Sequence, residues 1–387
     1  MIYYGKQSID EADIQAVEAV LRSDFLTQGP AVERFERVVA NYCGAKYAVA
    51  VTNATSALHI ACLAAGLGEG DLLWTSPVTF VASANCARYC GASVDFVDID
   101  EKTYNMSAAA LEEKLRQAKK ENKLPKVVVP VHLAGQSCDM KRIRELAEEY
   151  GFTVLEDASH AVGADYLGTK VGSCAFSDMA VFSFHPVKII TTGEGGMVLT
   201  NNEALYEKLV LYRSHGITRD PKKMTHEPDG PWYYQQIALG FNYRMTDIQA
   251  ALGASQMTRL DEFVARRREL AARYDELLRD LPLKTPRVME GTKPSWHIYI
   301  VRMMLDRIGK TKQQIFEKMK EQGIVLNLHY IPVHTQPYYK KRGFKQGDFP
   351  ASEKYYEEAF TLPLYVGLTD EEQEKAVEAL KKVLTAS

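Results

Sequence analysis

Met179-Ala180-Val181-Phe182-Ser183-Phe184-His185-Pro186-Val187-Lys188, then the glycine-rich run Gly193-Glu194-Gly195-Gly196 leading into Met197 to Thr200, is the stretch on which the fold turns. Met179 to Ser183 and Met197 to Thr200 are apolar runs of strand length. Between them there is no helical pattern, only the His185 to Lys188 segment and glycines. A parallel crossover needs a dozen or more residues and usually a helix. The second strand is therefore expected to return antiparallel to the first, with Lys188 in the loop beyond the first strand's carboxyl end.

Upstream the pattern is different. Tyr47 to Thr52, Leu72 to Thr75, Val94 to Val97, Val127 to His132 and Thr153 to Glu156 read as buried strands. Amphipathic stretches such as Lys141 to Tyr150 lie between several of them. Strands alternating with helices give a mainly parallel sheet covered on both faces, here of seven strands, in an α/β fold. After about residue 247 the character changes. One long amphipathic helix near Asp247 to Leu281 leads into a smaller α+β region. Its strands are expected near His297 to Met303 and Ile324 to His329, and its helices near Lys312 to Gln322 and Asp370 to Leu384. The expected division is a large domain over 1–250 and a small C-terminal α+β domain over 251–387, with the N-terminal segment free to pack on the small one. Arg219 to Pro231, rich in Pro, Lys and Asp, reads as a flexible stretch.

Composition excludes several functions. Of 387 residues 46% are hydrophobic and 25% charged, and the net charge of -3 gives no basic surface for nucleic acid or anionic membranes. The first eleven residues lack the apolar core of a secretory signal, and no apolar run approaches the roughly 20 residues of a membrane helix. The six cysteines show no metal-ligand spacing and read as free thiols. The expectation is a cytoplasmic enzyme with no metal.

In open α/β sheets ligands sit outside the carboxyl ends of the strands. Asp157 and His160 follow one such end, Ser183 and Lys188 another, and Asn53-Ala54-Thr55-Ser56 joins the first strand to its helix. A helix N-terminus can seat a phosphate through its unpaired amides, here those of Ala54 and Thr55, with hydroxyls from Thr55 and Ser183. Asn53 or Thr55 serving only as a cap is the competing reading. Asp157 is either a carboxylate satisfied by backbone or the partner of a protonated pyridine nitrogen. At an effective dielectric near 20 and about 4 Å, such a pair is worth roughly 4 kcal/mol, about three pK units. Lys188, among Pro, Val and Ile, is a candidate for a desolvated amine able to form an imine. Phe80 is either a core residue or a cover for a flat ring.

Five ordered segments resemble the DegT/DnrJ/EryC1/StrS sugar aminotransferases. They are Glu156 to Ala161, Phe182 to Lys188, Gly193 to Gly196, Arg213-Ser214-His215-Gly216 and Gly240-Phe241-Asn242-Tyr243-Arg244-Met245. The likeness runs from Leu26-Thr27-Gln28-Gly29-Pro30 to His329-Tyr330-Ile331-Pro332. It implies an aspartate aminotransferase-like, fold-type-I enzyme using pyridoxal 5'-phosphate (PLP), with Lys188 as the Schiff-base lysine and Asp157 on the pyridine nitrogen. By the same likeness Phe80 stacks on the ring, and Ala54, Thr55 and Ser183 hold the phosphate. Asn242 reaches the phosphate from a neighbouring subunit of a homodimer with shared active sites. His160 stands where many members carry Gln and contacts the cofactor's ring hydroxyl or packs on its ring. Thr27, His185, Arg244, His329 and Tyr330 are the implied substrate contacts, although an intersubunit salt bridge for Arg244 and a structural role for His329 stand beside that.

Within the family the pattern is most similar to the members that aminate C4 in pseudaminic acid biosynthesis. The implied reaction moves the amino group of L-glutamate to a UDP-linked 2-acetamido-2,6-dideoxy-4-keto-hexose. Another nucleotide-linked keto sugar is the alternative acceptor. A non-catalytic PLP-binding regulator is the alternative from another class. Dehydrating members carry His where this chain has Lys188.

Overall fold

The computed structural model describes residues 1–385. Seven strands form the central sheet: β1 (Tyr47–Val51), β2 (Leu72–Thr75), β3 (Ser93–Phe96), β4 (Val127–Val129), β5 (Thr153–Asp157), β6 (Met179–Ser183) and β7 (Gly196–Thr200). Their spatial order is β1-β7-β6-β5-β4-β2-β3. The pairs from β6 through β5, β4 and β2 to β3 are all parallel. β7 alone runs against its neighbours, pairing antiparallel with both β6 and β1. The helix-free link thus returns antiparallel as expected, and it places Ser183 opposite Gly196, which in turn lies opposite Val51.

β6 shows why its run is apolar throughout. Its residues alternate between the two faces of the sheet. Ala180 and Phe182 pack with Val32, Phe35, Ala250 and Ala254 on one side. Met179 and Val181 pack with Leu58, Ala61 and Cys62 on the other. Both faces are covered, so no position on the strand meets water.

The long helix expected near Asp247 to Leu281 is two helices, Asp247–Met257 and Leu260–Leu277. Thr258 Oγ1 bonds the Ser255 carbonyl at 2.7 Å, and Arg259 leaves helical geometry at φ -110°, ψ 7°. The Arg259 guanidinium is tied to Asp10 at 2.9 Å and to Asp13 at 2.6 Å. The break lets the second helix serve two cores: Leu260, Phe263 and Val264 pack under the main sheet, while Leu270, Ala271 and Tyr274 pack in a separate cluster.

That cluster backs a three-stranded antiparallel sheet of Leu283–Lys284, Tyr299–Met303 and Ala359–Leu362. The strand expected at Ile324 to His329 does not form. Ile324 pairs only with Ile2 and Asn327 only with Thr361, single bridges to two different neighbours. Ile324 and Leu326 reach the core without a continuous ladder. Ile2 is buried in the same cluster, so the N-terminal segment packs against C-terminal elements. Helices Lys312–Glu321 and Asp370–Thr385 lie where their periodicity places them. Arg219 to Pro231 holds one short turn of 3-10 helix, Pro221–Lys223, and is otherwise irregular.

Among the described residues no helix is long and apolar enough to cross a membrane. All six cysteines are free thiols, five buried and Cys90 partly exposed.

Candidate active site

A cleft of about 610 Å³ opens at the carboxyl ends of β5 and β6 and is closed from the other side by His297, His329 and Tyr330. Alternation along β5 decides which of two adjacent carboxylates faces it. Glu156 turns away, where its oxygens meet His132 Nε2 at 2.6 Å and Ser177 Oγ at 2.5 Å. Asp157 turns into the cleft, 5% exposed. Its Oδ1 accepts from the Ser159 amide at 3.1 Å and its Oδ2 from the Ser83 hydroxyl at 2.6 Å. A carboxylate offers about four lone-pair sites, so Asp157 keeps capacity for a further donor.

The helix Ala54–Ala64 starts at the same cleft. Asn53 is its cap, with Oδ1 accepting from the Ser56 amide and hydroxyl, both at 2.9 Å. The capping reading is therefore right for Asn53. It leaves Ala54 and Thr55 in the first turn, where amides have no partner within the helix and favour an anion. Gly196 brings Ser183 to them. A Cβ on residue 196 would lie 2.5 Å from the Asn53 carbonyl atoms and 2.6 Å from Ala54 N. Only glycine lets β7 approach the helix start this closely, and Ser183 is Gly196's cross-strand partner.

Lys188 sits in the turn after β6, its amide bonded to the His185 carbonyl at 2.9 Å. Burial of the amine pushes its pKa down to about 7, against the opposing pull of the Asp157 charge. Near neutral pH a large fraction is unprotonated and able to attack a carbonyl carbon. Its Nζ lies 3.5 Å from His297 Nε2.

Three imidazoles surround this amine, each held neutral by burial first and by the Lys188 charge second. His160 Nδ1 accepts from the Ala134 amide at 3.3 Å, which leaves its Nε2 to donate to Tyr330 Oη at 3.0 Å. Both nitrogens of His160 are thus spent within the protein, and the Tyr330 hydroxyl keeps its own proton for a ligand. His329 Nδ1 meets Thr361 Oγ1 at 2.8 Å, a structural bond, yet the residue also lines the cleft. His297 Nδ1 is buried with no partner.

Of the residues singled out in the sequence, Ala54, Thr55, Ser183 and Lys188 share the cleft with Asp157 and His160. Phe80, His185, His329 and Tyr330 line it too. Phe80 is 58% exposed, which settles that it is not a core residue. Thr27, Asn242 and Arg244 do not line it within one chain. Thr27 pairs with Thr246 in a loop anchored by Asp247, whose oxygens take the Gly29 and Ala31 amides at 2.8 Å each. Asn242 is exposed and pairs with Ser214, and Arg244 pairs with Val51. Sequence reasoning missed His297, although it stands at the start of an expected strand, and Ser83, for which one helical serine gave no signal.

Solved structures share this architecture. PseC of Helicobacter pylori, described as an aminotransferase of pseudaminic acid biosynthesis, matches over 100% of both chains with a TM-score of 0.90 at 30% identity. The PLP form of a putative sugar aminotransferase, Spr1654 from Streptococcus pneumoniae, matches over 99% of both at 0.86 and 28%. The protein is a PLP-dependent sugar aminotransferase of fold type I. It belongs to the DegT/DnrJ/EryC1/StrS aminotransferase family, whose model matches residues 7–381. The spore coat polysaccharide biosynthesis protein SpsC of Bacillus subtilis is 38% identical over 98% of this chain and 96% of its own. A UDP-4-amino-4,6-dideoxy-N-acetyl-beta-L-altrosamine transaminase of Campylobacter jejuni is 39% identical over 88% of this chain and 86% of its own.

Proposed function

We propose that the protein transfers the amino group of L-glutamate to C4 of UDP-2-acetamido-2,6-dideoxy-beta-L-arabino-hexos-4-ulose, a step of pseudaminic acid biosynthesis, as a cytoplasmic homodimer. The observation that carries amino transfer is the Lys188 amine, brought to about 7 in a cleft that also presents Asp157 and an open helix N-terminus. The choice of acceptor is supported by likeness to PseC, described with pseudaminic acid biosynthesis, and to a transaminase named for a UDP-linked 4-amino-4,6-dideoxy sugar.

The residues present fit PLP. The Ala54 and Thr55 amides and the Ser183 hydroxyl would hold its phosphate, Asp157 would face its ring nitrogen, and Phe80 would cover a ring face. His160, committed to Ala134 and Tyr330, would pack beside the ring. When bound, the cofactor supplies an aldehyde that condenses with amines and a ring that accepts an electron pair. Lys188 does the proton work. Its neutral Nζ would take the proton from the α-carbon of the bound donor as general base and hold it beside the ring for return. His297 Nε2, 3.5 Å away, keeps that amine aimed into the cleft. The neighbouring imidazoles are neutral, so the lowered proton affinity of Lys188 comes from burial, against the pull of Asp157.

Asn242 would reach the phosphate from a second copy, and Arg244 and Thr27 would join the site the same way. His185, His329 and Tyr330 are left to meet the nucleotide sugar. The large domain over 1–250 and the small one over 251–387 are part of this reading, since the cleft draws residues from both sides of that boundary. Another nucleotide-linked keto sugar is the second reading, since SpsC, 38% identical over 98% of this chain, is named for spore coat polysaccharide biosynthesis instead.

The test is the absorption spectrum of the PLP-loaded protein. Glutamate is expected to bleach the visible band, and the L-arabino 4-keto sugar to restore it. Restoration only by another sugar of a panel would replace the acceptor. A band indifferent to glutamate would remove the donor assignment, and one indifferent to every amine would leave a PLP-binding regulator.

A further inference from the structure

Ser83 lies on the helix Ala82–Tyr89, outside the cleft lining, and is fully buried. Its hydroxyl is 2.6 Å from Asp157 Oδ2, and Thr79 Oγ1 is 2.7 Å from Ser83 Oγ. A hydroxyl has one proton to give. Ser83 gives its proton to the carboxylate, so Thr79 is the donor in the second bond, and the relay runs Thr79 to Ser83 to Asp157. A helical serine usually bonds back to a carbonyl in the preceding turn. Here that option, the Phe80 carbonyl, is at 3.3 Å, and the shorter bond crosses to β5. The 2.6 Å length belongs to the charge-assisted class of hydroxyl–carboxylate bonds. Both groups bonded to Asp157, the Ser83 hydroxyl and the Ser159 amide, are neutral donors, so they orient the carboxylate without neutralising it.

We propose that Ser83 is a positioning residue for amino transfer: by donating to Asp157 Oδ2 it fixes the carboxylate and keeps the proton shared with the cofactor's ring nitrogen on the nitrogen. This rests on the reading of Asp157 as the ring-nitrogen partner. A carboxylate and a pyridine nitrogen that share one proton have two arrangements. A hydrogen bond donated to the ionised carboxylate favours the one in which the nitrogen is protonated. That is the arrangement in which the ring draws electrons. Thr79 supports the arrangement by taking up the second role at the Ser83 oxygen. The same turn presents Phe80 to the cleft, so ring cover and ring-nitrogen support enter the site on one piece of chain.

The experiment compares the native protein with Ser83→Ala and Ser83→Thr, each loaded with PLP carrying nitrogen-15 in the ring. Ser83→Ala removes one oxygen and leaves the helix intact. Its ring-nitrogen resonance is expected to move toward the unprotonated position. Its reaction with glutamate is expected to slow roughly 10-fold or more, the scale of lost outer-layer hydrogen bonds at metal sites. Ser83→Thr, which keeps the hydroxyl, restores both. With a cofactor analogue whose ring nitrogen is replaced by carbon, native and Ser83→Ala proteins react at the same rate. An unchanged resonance in Ser83→Ala, or an equal slowing with the analogue, overturns the proposal. A native resonance already at the unprotonated position would instead refute the Asp157 assignment. A native protein that ignores glutamate would refute the donor and leave the resonance comparison standing.

Discussion

An amine moved from its ordinary value of 10.5 to about 7 leaves a mark on stability as well as on chemistry. Between those two values the unfolded chain binds a proton at Lys188 that the folded protein does not, so stability rises with pH across that window. Below about pH 7 both states are protonated there and the full cost of burying the charge is present. Lys188→Met removes that cost. In denaturant titrations of cofactor-free protein, the Lys188→Met variant is expected to exceed the native chain most at about pH 6. The gap should close toward pH 10. A gap independent of pH would mean that the amine is not desolvated. The residue scale also separates what could be read in advance from what could not. Lys188, Asp157 and Ser183 stand at strand ends, and strand ends are visible in sequence. His297 and Ser83 act across more than a hundred and about seventy residues of chain, to Lys188 and Asp157 respectively, and no local pattern encodes such a meeting.

At the scale of elements, the site depends on one close approach, that of β7 to the start of the helix Ala54–Ala64. Gly196→Ala puts a methyl group within 2.5 Å of the Asn53 carbonyl atoms. Backbone must move, and overpacking of this kind costs about 1–3 kcal/mol. The displaced atoms flank the Ala54 and Thr55 amides, so PLP affinity should fall by 10-fold or more together with the thermal midpoint, as read by cofactor titration and calorimetry. Unaltered affinity would show that the phosphate is held elsewhere. The antiparallel return of β7 was legible because the twelve residues from Phe184 to Gly195 carry no helical pattern, and a parallel crossover needs a dozen or more and usually a helix. The break at Thr258 and Arg259 was not, because both helical halves have continuous apolar periodicity. What separates them is the pair of acidic partners, Asp10 and Asp13, that Arg259 finds at the other end of the chain.

At the scale of the whole molecule, large apolar side chains stay exposed in the segment that leads to Asn242. Trp232 is 72% exposed and Leu239 78%. A second copy that covers this segment and receives Asn242 in its own cleft would satisfy both. If sites are shared in this way, inactive Lys188→Ala and Asn242→Ala proteins should complement each other when unfolded and refolded together. Random reassortment would restore roughly a quarter of the sites. A mixture no more active than its components would place each complete site within one subunit.

The sequence by itself determined the sheet. Apolar runs of strand length, the helices between them and one link without a helix gave seven strands, mainly parallel with the last reversed, because burial and chain connection are local constraints. Their order across the sheet came from the tertiary structure. The same constraints placed Asp157, Ser183, Lys188 and the first helix turn at one edge. Only the tertiary structure decided what surrounds them. The protonation of Lys188 and its imidazoles follows from how deeply distant segments bury them. The tautomer of His160 follows from an amide at Ala134. The support of Asp157 follows from a serine on the helix Ala82–Tyr89 whose hydroxyl reaches Asp157 on β5 only once the chain has folded. Desolvation and hydrogen bonding are properties of neighbourhoods, and neighbourhoods are made by folding.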